Sequence, residues 1–413
     1  SSDNIAIGSR TLQDNTTGAS NIAIGKEALT NNTTASNNTA VGYQAAFANT
    51  TGTVNTAIGY QALYANTTAS DNDAHGYRAL YQNTTGAFNV SMGNQSMYDN
   101  TTGNYNVVVG SQALSNSTTG DYNIAVGYKA GFSNTTGSQN TYIGGNAGYT
   151  NTTMAYNVGI GYNSLYSNTS QGNIGIGAFT LQANSNGTGN IALGTYDASA
   201  NTPALFVNTT GSYNNAMGVR ALTANTTGSY NVAIGTSALA ANTTATFNTA
   251  LGYNAATSTT TGTANTAIGA YALEINTIGS ANTSIGNLAS RNSTGSNNTS
   301  VGYLSLNANT TGGTNTAVGS VSAAQLTTGT DNTIIGFNAS SYANNLTTGL
   351  NNTTIGAYAR NSSSGVSGEI AIGRYVLGQG STTATLGLNG SGVSIATNGS
   401  TTSWSSHSDE RLK

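Results

Sequence analysis

The stretch Asn55-Thr56-Ala57-Ile58-Gly59-Tyr60-Gln61-Ala62-Leu63-Tyr64-Ala65-Asn66-Thr67-Thr68-Ala69-Ser70-Asp71 recurs almost end to end, and its period decides the fold. The Gly that follows its first four residues returns at Gly8, Gly25, Gly42, Gly59, Gly76, Gly93, Gly110, Gly127, Gly144 and Gly161, 17 residues apart each time. After a step of 16 to Gly177 the series continues through Gly194, Gly218, Gly235, Gly252, Gly269, Gly286, Gly302, Gly319, Gly336, Gly356 and Gly373, giving 22 copies. Two intervals are long, 24 residues before Gly218 and 20 before Gly356. In a chain of 413 residues a fixed short period overrides the expectation of two or three ordinary domains and points to a stacked array.

Numbering one unit from its Asn as 1 to 17, position 4 is apolar in most copies (Ile7, Ile24, Val41, Ile58) and position 2 is Ile, Val or Thr. This period of two is that of a strand, and it predicts positions 2 and 4 on the buried face. Position 3 is usually Ala, Ser or Gly. Position 8 is small and position 9 mostly Leu, as in Ala62-Leu63 and Ala79-Leu80. The Asn-Thr-Thr-Gly of positions 12 to 15 is turn chemistry, with left-handed backbone expected at its Asn and Gly. The spacing leaves no room for a packed helix of ordinary length, so two short strands and two corners per coil are expected. Asn at position 1, replaced only by Glu369 in the last copy, predicts an amide ladder from coil to coil. The fold class is therefore all-β: a parallel β-solenoid or β-roll of about 22 coils, with an interwound triple-stranded β-helix as the alternative. The small residues at positions 3 and 8 suggest close approach of neighbouring chains, hence a homo-oligomer.

Composition narrows the function classes. Charged residues make up 6% of the chain and the net charge is -3, with the basic residues scattered, which argues against a nucleic-acid partner. No apolar run of about 20 residues exists to insert in a membrane. The absence of Cys removes disulfides and Cys metal sites, and no motif calls for a cofactor. Because Asn4 is already in register, a preceding segment or a partner is expected to cover the first coil.

The candidate sites are departures from, or phased additions to, the repeat. Tyr recurs at position 6 (Tyr43, Tyr60, Tyr77), position 10 (Tyr64, Tyr81, Tyr98) and position 17 (Tyr105, Tyr122). Such rows serve either as a sugar-stacking surface or as ordinary cross-coil packing. The two long intervals predict loops at 200–207, with Phe206, and at 341–346, with Tyr342, both counted as carbohydrate-binding candidates. In the fifth unit Asp73 and His75 occupy positions 2 and 4 and are expected inside as a hydrogen-bonded pair; His75 is also a metal candidate. The carboxylates Asp14, Glu27, Asp99, Asp121, Asp197, Glu274 and Asp331 are spread one to a unit or fewer, which disfavours the paired acids of a glycosidase within one chain.

After Gly373 the period stops. Residues 381–397 read as two strands around Asn389-Gly390, a strong hairpin signal. The end, Ser408-Asp409-Glu410-Arg411-Leu412-Lys413, follows a Ser-rich segment with the only Trp, Trp404. These six residues resemble the opening of the peptidase S74 type intramolecular chaperone domain at the C-termini of phage tail fibres and tailspikes. The resemblance implies a trimer that cleaves itself after Ser408 in a longer precursor, with Ser408 as nucleophile and Lys413 as base. The Asn-Thr-Ala-Ile-Gly-x-x-Ala unit is similar to the head repeat of trimeric autotransporter adhesins, which implies left-handed parallel β-rolls packed as trimers. Together they divide the chain into a solenoid shaft (1–378), a β-rich neck (379–407) and the start of a chaperone motif (408–413). The implied protein is a homotrimeric fibre of the virion tail, extracellular, joined to other tail proteins through its N-terminal side and attached to host-surface glycan. A polysaccharide-degrading tailspike and a bacterial surface adhesin are the alternatives.

Overall fold

The computed structural model describes residues 3–195, 202–342, 345–389, 391–396 and 405–407. They form two compact units, Ser1–Ser212 and Tyr213–Lys413. Each is a β-solenoid, and together they make about 22 turns. No helix is present among the described residues.

The first unit carries twelve three-residue strands, β1 (Ile5–Ile7) to β12 (Ile191–Leu193). The second carries ten more, β13 (Asn215–Met217) to β22 (Ile370–Ile372), followed by β23 (Thr383–Leu388), β24 (Ser391–Ala396) and β25 (Ser405–His407). Within each ladder the register advances by one repeat, as in Thr39↔Thr56, Ala40↔Ala57 and Val41↔Ile58. β23 continues the parallel ladder from β22 and then turns back on β24 as an antiparallel hairpin closing at Leu388↔Ser391. Asn389 of the expected turn is left-handed (φ 52), and Gly390 lies outside the described residues.

One strand per coil forms, not two. The return half is a run of turns whose backbone still bonds coil to coil: Leu63 N–H donates to Ala79 O at 2.9 Å and Gln61 N–H to Tyr43 O at 2.9 Å. It is built from left-handed residues at positions 7, 9 and 17, for example Gln61 (φ 53), Leu63 (φ 52) and Asp71 (φ 58). The turn Asn and Gly are not left-handed, contrary to expectation. Gly86 is required for space instead, since a Cβ there would lie 2.4 Å from Gly103 O. Gly59 at position 5 meets both demands, with φ +136 and a Cβ that would approach Gly76 O to 2.4 Å.

The strand faces are the reverse of the expected ones. Position 3 points in and positions 2 and 4 point out: Ala57 is 0% exposed and Ile58 38%. The cause is the narrow coil, whose interior is filled by Leu63 at position 9 against Ala57 and Ala62. Each such Leu contributes about 1.5–3 kcal/mol by burial. The small residues at positions 3 and 8 are thus consumed inside and offer nothing to a neighbouring chain.

Two Asn rows complete the interior, and only one was foreseen. At position 1, Asn55 N–H donates to Asn38 Oδ1 (2.8 Å) while Asn55 Nδ2 donates forward to Ala69 O (2.9 Å). At position 12, Asn66 Nδ2 donates to Asn49 Oδ1 (2.9 Å) and to the same Ala69 carbonyl (3.0 Å). Each turn carbonyl is therefore clamped by two amides from its own side of the coil.

Where the pattern changes, volume is conserved. Tyr142 occupies position 3 and is fully buried, and position 9 is Gly131 and Gly148 in that coil and the one before. In the second unit Leu326 and Leu346 replace the position-12 Asn and pack with Ile334, Ala323 and Ala339. Some mismatches stay uncompensated: Val54, Thr314 and Val321 are β-branched yet left-handed at φ 60, 58 and 59, and Asn37, Asn297 and Asn351 stand at the repeat position of Val54 in other coils. Val54→Asn is expected to raise stability by about 1 kcal/mol, read as a higher thermal unfolding midpoint.

Candidate functional site

The predicted Tyr rows are present on the return half of the coil, where positions 6 and 10 reach the surface and position 7 lies between them, with Glu27 and Gln61 buried. At position 6 Tyr43, Tyr60 and Tyr77 stack with centroids 5.2 and 5.3 Å apart. At position 10 Phe47, Tyr64, Tyr81 and Tyr98 stack at 5.2, 5.1 and 5.1 Å. These distances follow the spacing of adjacent strands, so rings in register stack without adjustment. Stacking turns ring faces toward neighbouring coils and leaves edges and hydroxyls outward. The rows therefore present a line of phenol edges, with ring faces free only at row ends.

Between the two rows runs a position-7 relay that the sequence reading missed. Gln44 Nε2 donates to Glu27 Oε2 (2.8 Å), Gln61 Nε2 to Gln44 Oε1 (2.8 Å), and Arg78 Nε to Gln61 Oε1 (2.9 Å). Arg10 and Lys26 approach Glu27 at 3.6 and 3.9 Å. The Arg78 guanidinium lies over Tyr77 and Tyr81, 5.2 Å from each centroid, so it joins the rows. The signal was available: Arg10, Glu27, Gln44, Gln61 and Arg78 are 17 residues apart. The sequence shows that phase plainly for Tyr and for the position-1 Asn, whereas position 7 mixes Arg, Glu and Gln.

Other candidates move. Asp73 and His75 do pair, Nε2 to Oδ1 at 2.6 Å, but on the outer face, with side chains 40% and 38% exposed. They are outside because positions 2 and 4 are outside. Among the described residues no three His, Cys, Asp or Glu side chains gather as a metal site. Phe206 does not ride on a loop. Ala204 and Leu205 re-enter the interior at positions 8 and 9, leaving Phe206 half-buried at position 10, so the extra residues precede Pro203. Tyr342 is exposed at the second insertion and meets Tyr358 edge-on.

Of the scattered carboxylates, Glu27 belongs to the relay, Glu274 pairs with Arg291, and Asp121 accepts the Asn104 N–H at 2.6 Å. Asp99, at position 11 beside Tyr98, has its carboxyl pushed above the usual range by burial, partly offset by a hydrogen bond from Gln82. Asp197, Trp404, Ser408 and Lys413 lie outside the described residues. No family model, curated protein or solved structure matches the chain.

A second surface emerges from the inverted strand faces. Positions 17, 2 and 4 alternate outward, so Tyr122, Ile124 and Val126 form one apolar rung, with Tyr122 56% and Ile124 40% exposed. Successive rungs are in register along each ladder. Aromatic rows reinforce it, Phe88–Tyr105–Tyr122 in one unit and Tyr213–Tyr230–Phe247 in the other.

Proposed function

We propose that the chain is the receptor-binding shaft of a homotrimeric fibre of a phage tail, attaching to host-surface carbohydrate. The observation that carries this reading is the ordered face of Tyr rows and amide relay. It repeats hydrogen-bonding groups at the coil spacing, and that spacing is close to the length of one sugar unit in an extended polysaccharide. Tyr edges combine an apolar body with a hydroxyl, which suits the amphipathic surface of a glycan. Trimer formation is supported by the second surface. The exposed apolar side chains of positions 4 and 17, in register along each ladder, exceed what a monomeric protein normally leaves in water, and a second copy supplies the same periodicity to meet them. The phage assignment rests on the Ser408–Lys413 resemblance, which also proposes Ser408 and Lys413 as nucleophile and base of autoproteolysis.

The test is binding of the chain to surface polysaccharides prepared from a panel of bacteria. Replacing Tyr60, Tyr77 and Tyr81 together by Ala is expected to weaken capture of the recognised polysaccharide by about tenfold or more with circular dichroism unchanged. Full retention of binding in that variant contradicts the assignment of the face. Release of reducing sugar from a captured polysaccharide would support the degrading tailspike instead.

A further inference from the structure

In the second unit the face equivalent to the Tyr rows is arranged differently. Phe337 and Tyr342 meet Tyr358 edge-on, at 5.2 Å and 83° and at 5.4 Å and 78°, while Tyr358 stacks flat on Tyr375 at 4.6 Å. Among the described residues neither Phe337 nor Tyr342 has a parallel ring beside it, and each is about half exposed. Here, as at the edge-on pair Tyr162–Phe179 of the first unit, aromatic rings stand outside the flat stacks. Two guanidinium groups accompany them: Arg374 lies over Tyr375 at 4.9 Å and Arg360 over Tyr342 at 6.0 Å. Arg360 Nε is buried with no hydrogen-bond partner among the described residues, and neither Arg forms an ion pair among them.

The charge balance is one-sided. Between Asn332 and Asn389 the only charged residue besides these two Arg is Glu369. Glu369 is fully buried and accepts hydrogen bonds from Asn361 Nδ2, Ser362 N–H and Gly380 N–H. The outward charge is therefore two positive and none negative. In the first unit, by contrast, Arg78 shares its relay with Glu27.

We propose that Phe337, Tyr342, Tyr358, Tyr375, Arg360 and Arg374 form a subsite for an acidic sugar, a hexuronate within a surface polysaccharide. An open ring face takes the C–H face of the pyranose, and a guanidinium fork takes its carboxylate. This rests on the glycan-attachment reading and specifies the chemical class of the glycan.

Calorimetric titration of the full chain with oligogalacturonate and oligoglucuronate, each beside its neutral methyl ester, tests it. At least one acid form is expected to bind about tenfold more tightly than its ester and to lose affinity as salt rises. Arg360→Gln with Arg374→Gln should bring the acid down to the affinity of the ester while far-UV circular dichroism stays unchanged. Equal binding of acid and ester overturns the proposal, as does an acid preference that survives both substitutions. Binding of neither, while the chain still captures a bacterial polysaccharide, overturns this inference alone. Failure of both assays overturns the glycan reading with it.

Discussion

Replacing Tyr142 by Ala is expected to destabilise the first unit by about 3–5 kcal/mol, the range for emptying a buried aromatic site. Tyr142 is the largest fully buried side chain, and its phenol accepts a hydrogen bond from Asn151 Nδ2 at 3.0 Å. Burial pushes the phenol far above its ordinary range, which is the cost of holding its ionised form away from water. Its space exists because Leu is absent from position 9 in two coils. A Cβ built on Gly148 would fall 2.2 Å from the Tyr142 ring, and one on Gly131 would fall 3.0 Å from it. Gly148 is left-handed at φ 62, as Leu63 and Leu80 are at the same position, so Leu fits there once the ring is gone. Tyr142→Ala with Gly148→Leu is accordingly expected to recover most of the loss, whereas Gly148→Leu alone overpacks the coil by about 1–3 kcal/mol or more. Denaturant unfolding of the four proteins reads this coupling. Additive losses in the double variant would show that the two positions do not share one space.

The second large effect is at Glu369. In regular coils the position-1 amide both accepts and donates, and the donated hydrogen goes to a carbonyl fourteen residues on, as from Asn352 to Val366 O at 2.8 Å. At Glu369 the chain beyond has left that path, and three N–H donors converge instead, the shortest from Gly380 at 2.8 Å. Only a group that accepts on both oxygens suits them. Glu369→Gln places an NH2 against those donors and is expected to cost about 2 kcal/mol, and Glu369→Ala, which leaves all three unpaired, about 3 kcal/mol or more. Loss of hydrogen-exchange protection around Thr353–Ile355 and Ile370–Ile372 is the measurement. Unchanged protection in Glu369→Ala would mean that water satisfies the donors.

What the sequence revealed and concealed follows from one ambiguity. The period, the parallel register and the hairpin at Asn389 were legible, because they depend on residue spacing and on turn chemistry. The facing of the strand was not. In Thr56-Ala57-Ile58 alternation identifies two faces without saying which is inside, and the larger side chains suggested the wrong one. The interior of a coil this narrow selects for smallness, so Ala57 is enclosed and Ile58 is left outside for another surface. The same inversion carried Asp73 and His75 outward. The Tyr rows were legible as rows but not as stacks, since phase says nothing of ring orientation. The Arg78 relay was hidden by mixed residue types at position 7, although their hydrogen bonds are as regular as those of the Asn rows. Of the Phe337–Tyr375 cluster only Tyr342 was legible, through the insertion that carries it, because the other members sit at positions 6, 7 and 9 of different coils.

The most direct test of this account is the facing of the strand, on which the core, the exposed apolar rungs and the placement of every candidate depend. The chain has no Cys, so Ala57→Cys and Ile58→Cys each report one face. The account predicts that the thiol of the Ile58→Cys variant, in native protein, reacts rapidly with a thiol reagent or forms disulfides to a second copy. The thiol of the Ala57→Cys variant does neither until the coil is unfolded. Rapid reaction of Ala57→Cys, with Ile58→Cys protected from both reagent and cross-linking, would contradict it.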